Sequence, residues 1–216
     1  MRFFCFTWLL VLFSFDTVAT SDFEVKLVDV NNEPLTDMVV FLQPLDDVVL
    51  PVNNKVVEIG QLDRAFTPYI SVMQLGSAAT FQNQDDITHH IYSPVGENKF
   101  SFKIRAGQSQ IKNDFQQLGE VAMGCNIHDW MSGYLYIVDT PLFGKTNNQG
   151  IASIVMPHEG KYRLVVWHPQ MKVEGHSVSK TLTWPTSQQF TFKVPHKIAK
   201  ISKQENEEDF DFLSDY

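Results

Sequence analysis

A short segment near the middle of the chain, GCNIHDWM, carries three side chains that bind metals. Cys125, His128 and Met131 are each separated from the next by two residues, so one loop offers a thiol, an imidazole and a thioether. Sulfur ligands favour copper, and imidazole binds several transition metals. Two His and one Cys with a weak axial Met form the ligand set of a mononuclear electron-transfer copper site. The loop therefore predicts a copper site that still requires a second histidine.

The second histidine is available in an upstream segment, TFQNQDDITHHIYS. His89 and His90 lie there between a turn and a run of residues that favour β-structure. Adjacent residues of a strand point to opposite faces of the sheet, so only one of the two should face the metal. The alternation leaves open which of them it is.

Other chemistries need residues that this pattern does not supply. Structural zinc usually takes four strong ligands, commonly with two or more Cys, and this loop has one. A dinuclear copper site needs a second Cys in the loop. A Cys-His hydrolase needs an orienting Asn or Asp and a donor pocket for the oxyanion, and nothing in the sequence marks either. We therefore expect copper at a single mononuclear site, no catalytic residues and no enzymatic activity.

The first twenty residues have the layout of a cleavable secretory signal peptide. One basic residue, Arg2, precedes an apolar run from Phe3 to Phe15, and small residues follow. The run is shorter than the roughly 20 apolar residues that cross a bilayer, so we expect export without a transmembrane anchor in the mature chain. Cleavage removes Cys5 and leaves Cys125 alone, which cannot form an internal disulfide. In an oxidising compartment such as the periplasm, this favours a ligand role for the thiol.

The net charge of −8 is concentrated at the carboxyl end. Residues 204–216, QENEEDFDFLSDY, contain six acidic residues and no basic ones. We therefore predict an acidic, disordered tail over residues 196–216. The rest of the chain is close to neutral and has no basic patch, which argues against nucleic acid as a partner.

Most of the remaining sequence alternates with the period of β-strands. Phe23, Val25 and Leu27 alternate with polar residues, and Met38–Leu42 forms a short continuous apolar run of the kind found in buried strands. Similar signals cover 70–72, 100–104, 134–138, 151–155, 162–167 and 190–194. Turn residues separate them, and no segment of a dozen residues has a convincing helical stripe. The pattern predicts an all-β sandwich class.

The paired metal-ligand segments resemble the cupredoxin family, whose members place one copper His after an early strand and Cys, His and Met in a late loop. The likeness is to plastocyanin- and amicyanin-type proteins, including the periplasmic ones associated with methylamine utilisation, and it covers roughly residues 60–170. It implies a Greek-key cupredoxin β-sandwich over residues 58–144. Counted from Phe81 and Asn83, the family spacing implies His89 as the first ligand. The implied ligand set is His89, Cys125, His128 and Met131, and the residue after the loop His is Asp129 where relatives tend to have proline.

The flanking segments resemble the transthyretin-like or carboxypeptidase-regulatory β-sandwich. This likeness implies a small discontinuous domain over residues 21–57 and 145–195, with the copper domain inserted in it or packed on it. The expected function is that of an exported type 1 (blue) copper protein, which carries single electrons between partner redox proteins. Two alternatives remain: a copper-binding or delivery module without redox traffic, and a metal-free structural or interaction sandwich.

Overall fold

A computed structural model describes residues 21–52, 55–186, 189–201 and 204. The predicted signal peptide and most of the predicted acidic tail lie outside these residues. Within the described residues, sixteen strands and one short 3-10 helix, Glu174–His176, are present. The strands are β1 Ser21–Val28, β2 Val39–Pro44, β3 Val57–Leu62, β4 Ala65–Thr67, β5 Ile70–Gln74, β6 Ala79–Asn83, β7 His89–Ser93, β8 Phe100–Ile104, β9 Ser109–Lys112, β10 Gly119–Cys125, β11 Ser132–Val138, β12 Phe143–Lys145, β13 Ile151–Met156, β14 Gly160–Trp167, β15 Ser177–Trp184 and β16 Gln189–Lys193. The expected all-β class is confirmed.

The strands pair into four sheets that fall into two sets. Strands β3 to β11 form two sheets, in the orders β5-β11-β10-β7-β8 and β4-β3-β6-β9, which we call the central sandwich. Strands β1, β2 and β12 to β16 form the other two, in the orders β13-β1-β16 and β12-β2-β14-β15, which we call the flanking sandwich. The chain thus lays down two flanking strands, then the whole central set, and then returns to the flanking sheets.

Each sandwich has its own apolar core. In the flanking sandwich, the inward positions of β1 (Phe23, Val25 and Leu27) are at most 1% exposed, as their alternation with polar residues predicts. The central core contains buried residues from both central sheets, and Cys125 and Met131 belong to it. The candidate ligands are therefore held by the packed interior of the central sandwich.

A third apolar cluster joins the two sandwiches. It contains Val39 and Phe41 from β2, Val165 and Trp167 from β14, and Ile70 and Val138 from the central strands β5 and β11. Neighbouring positions of β2, such as Val40 and Leu42, face the flanking core instead. Because β2 is buried on both faces, its sequence is continuously apolar and does not alternate.

The sequence-based strands over 38–42, 70–72, 100–104, 134–138, 151–155, 162–167 and 190–194 are confirmed within a residue or two. The tail predicted from residue 196 begins against the body: Ile198 forms a β-bridge with Met171 and packs on the flanking core, since it is one of the few apolar residues in that segment. Among the described residues, no helix is long and apolar enough to cross a membrane.

Candidate metal centre

Two neighbouring strands of the central sandwich bring the first two candidate ligands together. Strand β10 pairs with β7, and Cys125 lies directly opposite Ile91. His89 is two residues before Ile91, so it points to the same inner face of the sheet. Cys125 is the last residue of β10, and the chain then turns through the loop that carries His128 and Met131. Pairing between strands thus brings together residues that are 36 positions apart in the sequence.

The three side chains form a compact donor cluster. The Cys125 Sγ atom is 3.8 Å from His89 Nδ1 and 3.9 Å from His128 Nδ1. All three donor atoms lie within 4.8 Å of one another. His89 is 0% exposed, Cys125 5% and His128 8%, so the cluster is closed to solvent on most sides. Each residue presents one ligand atom to the same small volume.

His90, the other member of the histidine pair, points away from this cluster. Its Nε2 atom is 2.8 Å from Ser101 Oγ, and its Nδ1 atom is 3.2 Å from Asn126 Nδ2. Its backbone carbonyl accepts a hydrogen bond from Asn126 N–H, which ties β7 to the start of the loop. The structure therefore places His89 beside Cys125 and gives His90 a role in fixing the loop.

Hydrogen bonds close the loop between β10 and β11 on itself. Ile127 N–H donates to Cys125 Sγ at 3.5 Å, and Met131 N–H donates to the His128 carbonyl at 3.1 Å. Met131 is 1% exposed and belongs to the same core cluster as Cys125. The predicted fourth ligand is thus buried beside the donor cluster. The Cys125 thiol thus accepts a backbone hydrogen bond from within its own loop.

Asn83 supports the segment that leads to His89. Its side chain is 0% exposed, and its amide Nδ2 donates to the carbonyls of Ile87 at 2.7 Å and Ile104 at 2.8 Å. Its Oδ1 accepts a hydrogen bond from Asp85 N–H at 3.0 Å. All the polar atoms of this buried amide are paired, as burial requires.

Asp85 is a site residue that the sequence analysis missed. Its carboxylate Oδ2 lies 2.7 Å from His89 Nε2, the ring nitrogen that faces away from Cys125. Burial alone would raise the pKa of Asp85, but hydrogen bonds from His89 and from the backbone of Arg64 and Asp63 outweigh it and lower the pKa below its usual value. No periodicity in the sequence distinguishes this carboxylate from that of Asp86 beside it.

The environment of His128 favours the neutral imidazole, the form that binds metals. Burial lowers its pKa first, electrostatic interaction with His89 and Arg64 lowers it further, and the charge of Asp85 opposes them. The ring of His128 packs near two other rings, with centroid separations of 5.2 Å to His89 and 5.2 Å to Trp130. Trp130 is therefore in contact with a candidate ligand.

Tyr92 covers the outer face of the sheet behind Cys125. A Cβ atom at Gly124 would lie 3.1 Å from the Tyr92 ring, so this close contact uses the absence of a side chain at Gly124. A cavity of about 500 Å³ opens beside them, and Cys125 and Met131 contribute to its wall. Tyr92 thus packs beside the centre.

The donor set fits a copper ion. Bonds from zinc to nitrogen and to sulfur are about 2.0 and 2.3 Å long, and we take these lengths as a guide. In a trigonal arrangement they place a nitrogen and a sulfur donor about 3.7 Å apart. The observed Sγ–Nδ1 distances are 3.8 and 3.9 Å. One thiolate, two imidazoles and a buried thioether match the mononuclear copper set and fall short of the several strong ligands of structural zinc.

Comparison with known proteins gives likenesses of fold. No protein-family model matches the sequence, and no curated protein matches it. Among solved structures, a Cu-containing nitrite reductase (NirK) from Thermus scotoductus SA-01 is 20% identical with a TM-score of 0.37, over 52% of this chain and 28% of that chain. A novel purple cupredoxin from Nitrosopumilus maritimus is 19% identical with a TM-score of 0.34, over 38% of this chain and 99% of that chain. The oxidized P96G mutant of amicyanin is 12% identical with a TM-score of 0.36, over 45% of this chain and 98% of that chain. The assignment of a metal to this chain therefore depends on the side chains of the site.

Proposed function

We propose that this protein is an exported mononuclear type 1 copper protein that carries single electrons between partner redox proteins. The observation that supports the proposal is the buried cluster in which Cys125 Sγ faces Nδ1 of both His89 and His128. These three residues would hold copper, with the Met131 thioether as a weaker fourth ligand. When bound there, copper would supply one-electron chemistry through its Cu(II) and Cu(I) states.

The protein's own contribution is to fix its ligands. His89 and Cys125 are held by the pairing of β7 with β10, and Ile127 N–H stabilises negative charge on the thiolate. The same sheet register and loop hydrogen bonds serve both oxidation states, so little rearrangement accompanies electron transfer. Burial of all four residues favours a metal that stays bound over one that is handed to an acceptor. His128 is the most exposed of the four and is therefore the ligand nearest to a partner.

The strand pairing supports a two-domain organisation for this carrier. In our proposal the central sandwich is the cupredoxin copper domain, and the flanking sandwich is a separate domain into which it is inserted. Among the described residues, all strand pairs of the central sheets lie between β3 and β11, and none joins them to the flanking strands. The apolar cluster around Trp167 packs the two proposed domains together, and polar contacts such as His176 Nδ1 to Glu120 Oε2 at 3.0 Å also join them.

Absorption and metal content of the purified mature protein test the proposal. With one equivalent of Cu(II), we expect an intense blue thiolate-to-copper band and a reversible one-electron voltammetric wave. Cys125→Ser should abolish the band, because the hydroxyl cannot replace the thiolate, and Met131→Leu should keep the band and shift the potential. A colourless Cu(II) form, or a band unchanged in Cys125→Ser, would refute the copper assignment. Stoichiometric copper without a reversible wave, together with release to a Cu(I) chelator, would indicate delivery instead.

A further inference from the structure

The Asp85 carboxylate connects three separate parts of the central sandwich. Besides His89 Nε2 at 2.7 Å, it accepts backbone N–H bonds from Asp63 at 2.7 Å and Arg64 at 3.0 Å. Its side chain is 10% exposed, so water competes weakly for these contacts. Hydrogen bonds to an ionised acceptor are roughly twice as strong as neutral ones. One carboxylate therefore links the segment before β7, the first imidazole and a distant turn.

That turn joins β3 to β4 and has an unfavourable backbone conformation. Asp63 and Arg64 have φ values of 54° and 58°, in the left-handed region, where a non-glycine residue costs about 1–2 kcal/mol. Two-residue hairpin turns with positive φ at both positions normally carry Asn-Gly or Asp-Gly. Here both N–H groups point to the Asp85 carboxylate, which compensates for the unfavourable sequence. The same two hydrogen bonds hold the Asp85 carboxylate in place.

A carboxylate in a fixed position also fixes the His89 ring. With Nε2 held by Asp85, Nδ1 is the nitrogen that faces Cys125 Sγ at 3.8 Å. A carboxylate hydrogen-bonded to the outer nitrogen of a ligating imidazole orients the ring and raises its basicity. It also adds a negative charge near the metal, which stabilises the more highly charged oxidation state.

We propose that Asp85 is a positioning residue for the copper centre, which holds His89 through Nε2 and favours Cu(II) over Cu(I). The inference rests on the proposed function, since it concerns the same site. In this proposal the negative charge of Asp85 acts on the centre through its hydrogen bond to His89. A neighbouring carboxylate without that bond should have little effect.

Asp85→Asn, with Asp86→Asn as the matched control, tests this inference in the full mature chain. Both variants remove one negative charge from adjacent positions, but Asp86 is exposed and has no part in holding His89. For Asp85→Asn we expect a tenfold loss of preference for Cu(II) over Cu(I), which raises the reduction potential by about 59 mV for one electron. For Asp86→Asn we expect less than a twofold change, or about 18 mV on the same scale. Equal shifts in the two variants, or no shift in Asp85→Asn, would overturn the inference.

A second background separates the charge from the folding of the turn. Asp63→Asn with Arg64→Gly creates the Asn-Gly turn that adopts positive φ without a carboxylate and leaves the net charge unchanged. In this background, Asp85→Asn should still raise the reduction potential by about 59 mV, which corresponds to a tenfold loss of preference for Cu(II) over Cu(I). If the shift disappears there, Asp85 acts only by shaping the turn, and the inference is wrong. A wild-type protein without a blue band or a voltammetric wave would instead refute the proposed function itself.

Discussion

Replacement of Asn83 by alanine tests whether a buried amide holds the segment that leads to the metal centre. The side chain is 0% exposed and makes three hydrogen bonds, two to carbonyls of Ile87 and Ile104 and one from Asp85 N–H. A net hydrogen bond contributes about 1 kcal/mol, and the cost rises when the partners stay buried and unpaired. We therefore expect Asn83→Ala to lower the free energy of unfolding by about 3 kcal/mol.

The assay is urea unfolding of the copper-free protein, followed by tryptophan fluorescence and circular dichroism. Gln82→Ala is the matched control, because Gln82 precedes Asn83 on β6 and its side chain is exposed. That variant should change the free energy of unfolding by less than about 0.5 kcal/mol, as is usual for surface positions. The slope of the free energy against urea should stay the same in both variants, so the midpoint alone reports the loss.

Asn83→Asp makes the test sharper. Aspartate has nearly the same shape, but its carboxylate would replace the amide Nδ2 that donates to the two carbonyls at 2.7 and 2.8 Å. Acceptor would then face acceptor, so this variant should be at least as destabilised as Asn83→Ala at neutral pH and should recover partly at low pH. If Asn83→Ala stays within 1 kcal/mol of the wild type, or if Asn83→Asp is neutral, the hydrogen-bond argument is refuted.

Two further predictions concern other parts of the molecule. Burial lowers the pKa of His168 to about 4, and its Nδ1 accepts Gln170 N–H, so protonation is disfavoured in the fold. Below about pH 6.5 the unfolded chain therefore binds a proton at this residue that the folded chain does not. The free energy of unfolding should fall by up to about 3 kcal/mol between pH 6.5 and pH 4. His168→Asn should remove this contribution to the pH dependence in unfolding titrations. Gly133→Ala should lose about 1–3 kcal/mol in urea unfolding, because its Cβ would lie 2.8 Å from Phe66 Cβ, whereas Gly144→Ala meets nothing closer than 3.5 Å.

A comparison of variants can refute the His168 prediction and the Gly133 prediction separately. If His168→Asn and the wild type lose stability in parallel between pH 6.5 and 4, another group controls the pH dependence. The carboxylates that titrate in the same range are common to both proteins, so only the difference between the two curves counts. If Gly133→Ala and Gly144→Ala are equally stable, β4 moves away from β11 without cost, and the packing argument is wrong.

Much of the fold follows from local patterns. The alternation in β1 and the continuous apolar run in β2 both correspond to strands. Alternation marks a strand with one buried face, and a short continuous apolar run marks a strand that is buried on both faces. Strands with weaker patterns were missed. Strand β15 is largely exposed and polar, and the β3–β4 hairpin turns at Asp63 and Arg64, which carry no turn signal. That hairpin depends on Asp85, a residue some twenty positions away.

The sequence by itself placed three candidate ligands in one loop, because the spacing of Cys125, His128 and Met131 keeps them close together along the chain. It also determined that one of two adjacent histidines must turn inward. The strand alternation left the choice between them open, and the tertiary structure turns His89 inward, as the family resemblance implied, since its direction depends on the register of β7 against β10. The tertiary structure alone revealed Asp85, because its contacts join segments that are distant in the sequence. Local spacing encodes which groups are available, and long-range pairing decides which of them meet.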